Sequence, residues 1–335
     1  MRKRNLISGI ILTCGFIALM LWLYVRVIEI GDKLALTHEY LKYGFYVVSA
    51  LFVLWFIVRP FFQVVFAPSY SLVKIHDFND ENLTLEKQKQ NYPELVKVAK
   101  RLEHRNLVSV ETEKKLDEAL HNKEKDFSLK YTKLKNAVDS AIKDDLKADI
   151  RKIIITTARD TLYFTAISQN GFADVLIVMI NNFRQIKKIV RRCGFRPSFF
   201  RLLKIYINVM ISCFIAEGIE EADLSNIFGG ALKGLSKNIV GSLMNGAVNS
   251  FFMLRVGFLT QKLIFEEHDN ETKEINLLKT AFVEAAAALP ELTIATILDP
   301  IINILKGTII TPTKNLLKRV FKNDDPYPKL ETKEE

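Results

Sequence analysis

Apolar residues crowd the start of this chain and then settle into helical periodicity. From Leu6 to Val25 no side chain is charged, and Ile, Leu, Phe, Met, Trp and Val fill the run. A helix needs about 20 such residues to cross ~30 Å of hydrocarbon. A second uncharged run, Tyr43 to Val58, lies between Lys42 and Arg59, and Pro60 ends it. Trp22, Tyr24, Tyr43, Tyr46 and Trp55 stand near the run ends, where aromatic rings favour a bilayer interface. The stretch between the runs, Arg26 to Lys42, mixes Glu29, Asp32 and Glu39 with Arg26, Lys33 and Lys42, and reads as a short polar loop. The pattern predicts a transmembrane hairpin over 1–66, with spans at about 6–25 and 43–58. A cleaved signal peptide fits less well, because no small-x-small site follows the first run and a second run comes soon after. Arg2, Lys3 and Arg4 put the N-terminus in the cytoplasm and the loop outside. The second span then returns the rest of the chain to the cytoplasmic side.

Beyond the hairpin the periodicity is helical throughout, so the expected fold class is all-α: a transmembrane hairpin followed by a helical cytoplasmic domain. Residues 67–92 are polar and read as a linker, with Pro93 suited to a helix start. A charged helical region follows over 93–160. Leu95, Val98, Ala99 and Leu102 recur at helical spacing there, and acids alternate with bases on the outer face of 126–149. A coiled coil would use the same pattern, but no heptad is sustained. Residues 161–265 form the next unit. Its first long helix starts at Phe172, carries Leu176, Met179, Ile180, Phe183 and Ile186 as one stripe, and ends at Cys193-Gly194. Arg184, Lys187, Lys188 and Arg191 fall on the opposite side. From Arg184 to Lys204 there are eight basic residues and no acid, Arg196 among them. That face reads as solvated, or as a contact for the inner-leaflet surface or for an acidic partner protein.

Downstream, Phe199 to Ile219 is apolar enough to raise a third span. Its uncharged part, Ile205 to Ala216, is short for hydrocarbon and suits a buried helix. Small residues then recur four apart at Gly230 and Gly234, and at Ser242, Gly246 and Ser250, an interval that lets helices approach closely. Such a helix packs in a core or associates in lipid, the latter giving a homo-oligomer. Amphipathic helices are expected over 266–322, and a disordered tail over 323–335.

The chain has 335 residues and a formal charge of +9, a balance that suits anionic lipid or an acidic partner and makes nucleic acid less natural for a tethered domain. Three cysteines, Cys14, Cys193 and Cys213, have no metal or redox spacing and fit a reducing compartment. The five histidines are scattered. Glu118 and His121 share a metal-site spacing, but once only, and such sites need a second pair. Gly229 to Gly234 lacks the Gly-Lys-Ser/Thr ending of a phosphate loop. No catalytic, cofactor or metal residue is assigned, and no enzyme activity is expected.

One set of residues resembles a known family. Thr165-Ala166-Ile167-Ser168, Gly171, Asp174, Asn182, Arg184, Ile186 and Gly194-Phe195-Arg196-Pro197, followed by Asn249, Arg255 and Gly257, resemble the core of the YcjF-like bacterial inner-membrane proteins. That domain of unknown function is also found fused to small GTPases. Ile180-Asn181 and Ser250 depart from the family's usual Trp-Arg and glycine. The resemblance implies a bacterial inner-membrane location and a GTPase or other P-loop partner. It supplies no catalytic residues, and it favours a third span near 199–219. The expected function is a membrane-anchored adaptor or regulator. An oligomeric transporter or pore subunit is the alternative, and it is weakened because neither run carries an ionisable residue.

Overall fold

The computed structural model describes residues 21, 24–55, 59, 62–63, 83–103, 107–168, 171–194, 234–265, 271–293 and 295–305, and among them there is helix and no strand. The first expected span lies outside the described residues except for Leu21, Tyr24 and Val25, and the second is helical as far as Trp55. The stretch between them is not a loop. Residues 24–35 are helical, the chain reverses at Leu36-Thr37, and helix α1 runs Glu39–Val53. Thr37 and His38 both donate backbone N–H groups to the Leu34 carbonyl at 3.1 Å, which closes the turn. The charges misread as loop are spaced for a helix face: Arg26 meets Glu29 at 2.8 Å, one turn apart. The two helices are pinned together by Lys42–Asp32 at 2.6 Å and by Gly31, where a Cβ would overlap the Tyr46 ring.

No residue of α1 is buried, and among the described residues the hydrophobic core begins at Leu83. The body therefore has its own core. It opens with α2, Leu85–Glu103, which starts inside the stretch read as linker and carries Pro93 within it. The early turns are polar in sequence, yet Gln88 and Asn91 continue the buried stripe of Leu95, Val98 and Leu102. Gln88 donates to the Leu83 carbonyl at 3.1 Å, which lets a polar side chain sit inside. Helix α3, Val110–Leu120, is capped by Ser109, and α4, Phe127–Ser140, by Asp126, whose carboxylate accepts from the Ser128 N–H at 2.9 Å.

Helix α4 does not stop. A π-helical segment, Ala141–Leu146, carries it into α5, Lys147–Ser168, so one rod runs over 127–168, roughly 60 Å at 1.5 Å per residue. Helices α2, α3 and α4 pack on each other at one end of the rod. At the other end α5 packs against α6, Gly171–Cys193, and against α7, Lys237–Phe265. Helix α8, Glu271–Ala288, covers α7. A 3-10 turn, Leu289–Leu292, leads to α9, Ala295–Leu305, which packs on α5 and runs through Asp299-Pro300 without a break.

The α5–α7 contact is the closest in the body. A Cβ at Gly246 would lie 2.8 Å from the Leu162 carbonyl oxygen and 2.9 Å from Ala166 Cβ. A Cβ at Gly257, three turns on, would lie 2.7 Å from Ile154 Cγ1. Small side chains at these heights bring the two backbones together, and Ile154, Ala158, Leu162 and Ala166 fill the seam from α5, all fully buried. Among the described residues α7 is the one helix long and apolar enough to cross a membrane, but 56% of its most apolar window is buried inside the protein, as in a core helix.

Gly246→Ala is expected to destabilise the fold by about 1–3 kcal/mol through overpacking. Gly241→Ala, where nothing lies within 4 Å of the new Cβ, is expected to stabilise it by about 0.5–1 kcal/mol through helix propensity. Denaturation midpoints in detergent measure both, and equal shifts for the two variants would contradict the close seam.

Candidate functional site

Helix α6 holds four of the five candidate contact residues, Arg184, Lys187, Lys188 and Arg191, and its position differs from the expected amphipathic one. From Ala173 to Cys193 every residue is buried or half-buried. The apolar stripe is in the core, as Met179, Phe183 and Ile186 show. The basic residues opposite are not an open face. Lys187 is only 8% exposed, and Arg184, Lys188 and Arg191 are half-buried. Burial lowers the Arg184 pKa below its ordinary value. Long Lys and Arg stems add apolar surface to such a helix and reach outward with the charge, which the stripe pattern does not reveal. Arg196 and Gly230 lie outside the described residues.

Arg192, one of the eight bases of the run, is tied to other elements. It is 6% exposed. Its Nε donates to Asp149 Oδ2 at 2.8 Å and its Nη2 reaches the same oxygen at 2.7 Å. Nη1 donates to the Leu107 carbonyl. One guanidinium thus joins the start of α5, the end of α6 and the strap before α3. Beside it Gly194 takes a left-handed φ of 73° and closes α6, with its N–H on the Arg191 carbonyl at 3.1 Å. Its own carbonyl accepts from Arg101 Nε at 3.2 Å. Ser109 donates its N–H to Asp145 at 3.0 Å, tying the same strap to the π-helical segment.

A second polar joint sits at the other end of α6. Asp174, 7% exposed in the first turn, accepts from the Ser168 hydroxyl and from Asn245 Nδ2, the latter at 2.6 Å. Asn249 donates to Asn245 Oδ1 at 3.4 Å. A carboxylate there is favoured by the helix N-terminus as well as by its donors. Between the two joints, Asn181 Nδ2 donates to Thr161 Oγ1 at 2.9 Å, while that hydroxyl donates to the Thr157 carbonyl at 3.0 Å. Thr165, Ser168, Gly171, Asp174, Asn182, Asn249 and Gly257, all quoted above for the family resemblance, lie on α5, α6 and α7, and all but Gly171, which is exposed, are buried or half-buried.

The packing residues divide. Gly246 and Ser250 lie buried on α7, and Ser250 donates its hydroxyl to the Ala247 carbonyl at 2.9 Å. Gly234 is not a packing residue. It is exposed, meets nothing within 4 Å and takes a φ of 77°, so it serves the turn before α7. Gly257, which the four-residue interval did not include, is a packing position: its missing side chain leaves room for Ile154 and for the Gln185 amide. Gln185 is fully buried, and neither amide atom has a hydrogen-bond partner.

No reactive constellation emerges from these parts. Cys193 is buried, and burial pushes its thiol well above the ordinary range, against the thiolate needed for nucleophilic work. Among the described residues no group of three or more His, Cys, Asp or Glu is arranged to hold a metal. What the arrangement does is hold a basic helix between two polar joints, with part of its charge at the surface.

Removing the Arg192 side chain as Arg192→Ala is expected to cost about 1–3 kcal/mol, because the Leu107 carbonyl is left unpaired while the half-exposed Asp149 is rehydrated. A double-mutant cycle with Asp149→Ala should show a coupling of about 0.5–3 kcal/mol, and additive effects would remove the joint. Gln185→Met is expected to leave the unfolding midpoint unchanged or raise it, since it replaces an unpaired buried amide with an apolar chain of similar length.

Comparison with protein-family models, with curated proteins and with solved structures finds no match to this chain, so the functional reading rests on its own residues.

Proposed function

We propose that the chain is a membrane-anchored adaptor or regulator. The hairpin holds it in the bacterial inner membrane, with the N-terminus and the helical body on the cytoplasmic side. The observation that carries this reading is the base of the hairpin, where both helices present exposed apolar residues, beside a body whose core, among the described residues, includes none of them. Leu21, Tyr24, Val25, Leu51, Leu54, Trp55 and Phe62 are all exposed, and an apolar surface on both helices calls for lipid around it.

The body is the recruiting part. Its partner, a GTPase or other P-loop protein, is taken from the resemblance to the YcjF-like proteins. The surface-reaching charges of Arg184, Lys188 and Arg191 provide the contact, to that partner and to anionic headgroups. Lys187 belongs to the interior of this arrangement and is not a contact residue.

Two measurements test the reading. The full chain should stay with the membrane pellet after alkaline carbonate, and protease added to intact spheroplasts should leave the region beyond residue 83 uncut. A chain that washes off, or a body digested from outside, would overturn it. Reversing two surface charges, as Lys188→Glu with Arg191→Glu, should lower co-purification of the nucleotide-hydrolysing partner by about tenfold or more, at ~1 kcal/mol for each charge near an anionic surface. Unchanged recovery would remove these residues from the contact.

A further inference from the structure

We propose that the bilayer meets this hairpin farther from its turn than the apolar runs alone indicate. The surface nearest the turn crosses α1 near Leu51, and residues 26–50 stand clear of the hydrocarbon as a closed two-helix tip. The proposal rests on the reading of the hairpin as the membrane anchor.

The register of the two helices carries the inference. Asp32 pairs with Lys42, and Gly31 receives the Tyr46 ring, so facing residues have numbers that add to between 74 and 77. By that register Arg26 stands level with about residues 48–51, and Glu29 with about 45–48. Placing Tyr43–Val58 in hydrocarbon would therefore carry Arg26, Glu29, Asp32 and Lys33 in with it. Burial against α1 gives no relief. The side chains of Arg26 and Glu29 are 48% and 49% exposed, and Asp32 is 57% exposed. A charge facing lipid is more costly than a tyrosine or valine facing water, so the charges decide the depth.

Moving the boundary to the level of Val25 and Leu51 clears all four. By sequence this leaves the uncharged run 6–25 beyond the boundary on one side, and on the other the stretch from Leu51 to Phe66, where Arg59 is a single charge against the four removed. That guanidinium lies over the Trp55 ring at 4.2 Å from its centroid. Tyr24 and Trp55 are both exposed and fall within a turn of the new boundary, where aromatic side chains sit at the interface. The tip keeps its shape through its own contacts, the Lys42–Asp32 pair and the Gly31–Tyr46 approach.

Single cysteines test the depth in the full chain, in a background where Cys14, Cys193 and Cys213 are alanine. Val47→Cys and Val48→Cys lie on the proposed tip, and Leu54→Cys lies below the boundary, all at exposed positions. A membrane-impermeant maleimide is given access to both faces of open membranes, and complete labelling in SDS checks each thiol. The expected result is labelling at 47 and 48 faster than at 54 by about tenfold or more, because only a hydrated thiol forms thiolate. Slow labelling at all three sites would overturn the proposed depth while leaving the anchor in place. Fast labelling at all three would overturn the anchor itself. Fast labelling at 54 alone would also overturn the proposed depth.

Discussion

The α7 backbone lies against α5 only because Gly246 and Gly257 present no side chain to it. That approach decides much else. It sets the spacing of the three-helix junction, and it gives the Gln185 amide its place beside Gly257. It also leaves the α5 hydroxyls facing protein. Thr157, Thr161 and Thr165 each turn a hydroxyl back to the carbonyl four residues earlier, and Thr161 also accepts from Asn181, so these hydroxyls are satisfied inside the protein. A helix as apolar as α7 is thereby used up by the core, and its bilayer-like composition is explained by burial.

Charge is handled differently at the two ends of the molecule. In the body, α6 carries its bases into the interior and anchors one of them, Arg192, to a carboxylate and a backbone carbonyl on other elements. The bond to Asp149 is screened on the acid's side, so its contribution lies more in fixing the geometry than in raw strength. In the hairpin the charges stay outside and pair along or across the helices. The body is tied together by buried polar groups, and the hairpin by one glycine contact and one surface ion pair.

The helical class, the end of α6 at Cys193-Gly194 and the buried stripe of Leu95, Val98 and Leu102 are legible from spacing and capping alone. Other features were hidden for definable reasons. The early turns of α2 look like linker because Gln88 and Asn91, not apolar residues, occupy the buried positions. The helical reading of 126–149 already crosses the join, but a π-helical turn has no signature in residue type, so its widening at Ala141–Leu146 is invisible in the sequence. The reversal at Leu36-Thr37 was missed because charges were taken for a loop, when their spacing already matched one helix face. At the candidate site, the cluster of bases is plain in the sequence and its burial is not. Arg192 differs from Arg191 only in direction, and direction depends on Asp149 and Leu107, far away along the chain.

The π-helical segment at Ala141–Leu146 has a consequence for how such a chain changes over time. Each residue added to or removed from a helix turns everything beyond it by about 100°. A wider turn of this kind is how a helix absorbs one extra residue without unwinding. The angular phase between the two ends of the rod is therefore concentrated in this one turn, whose own Ala141, Ile142 and Leu146 are buried in the core. A single-codon insertion or deletion here would re-aim one bundle around the common axis, and would also have to re-seat those three side chains and the ties of Asp145 to Ser109 and of Asp149 to Arg192.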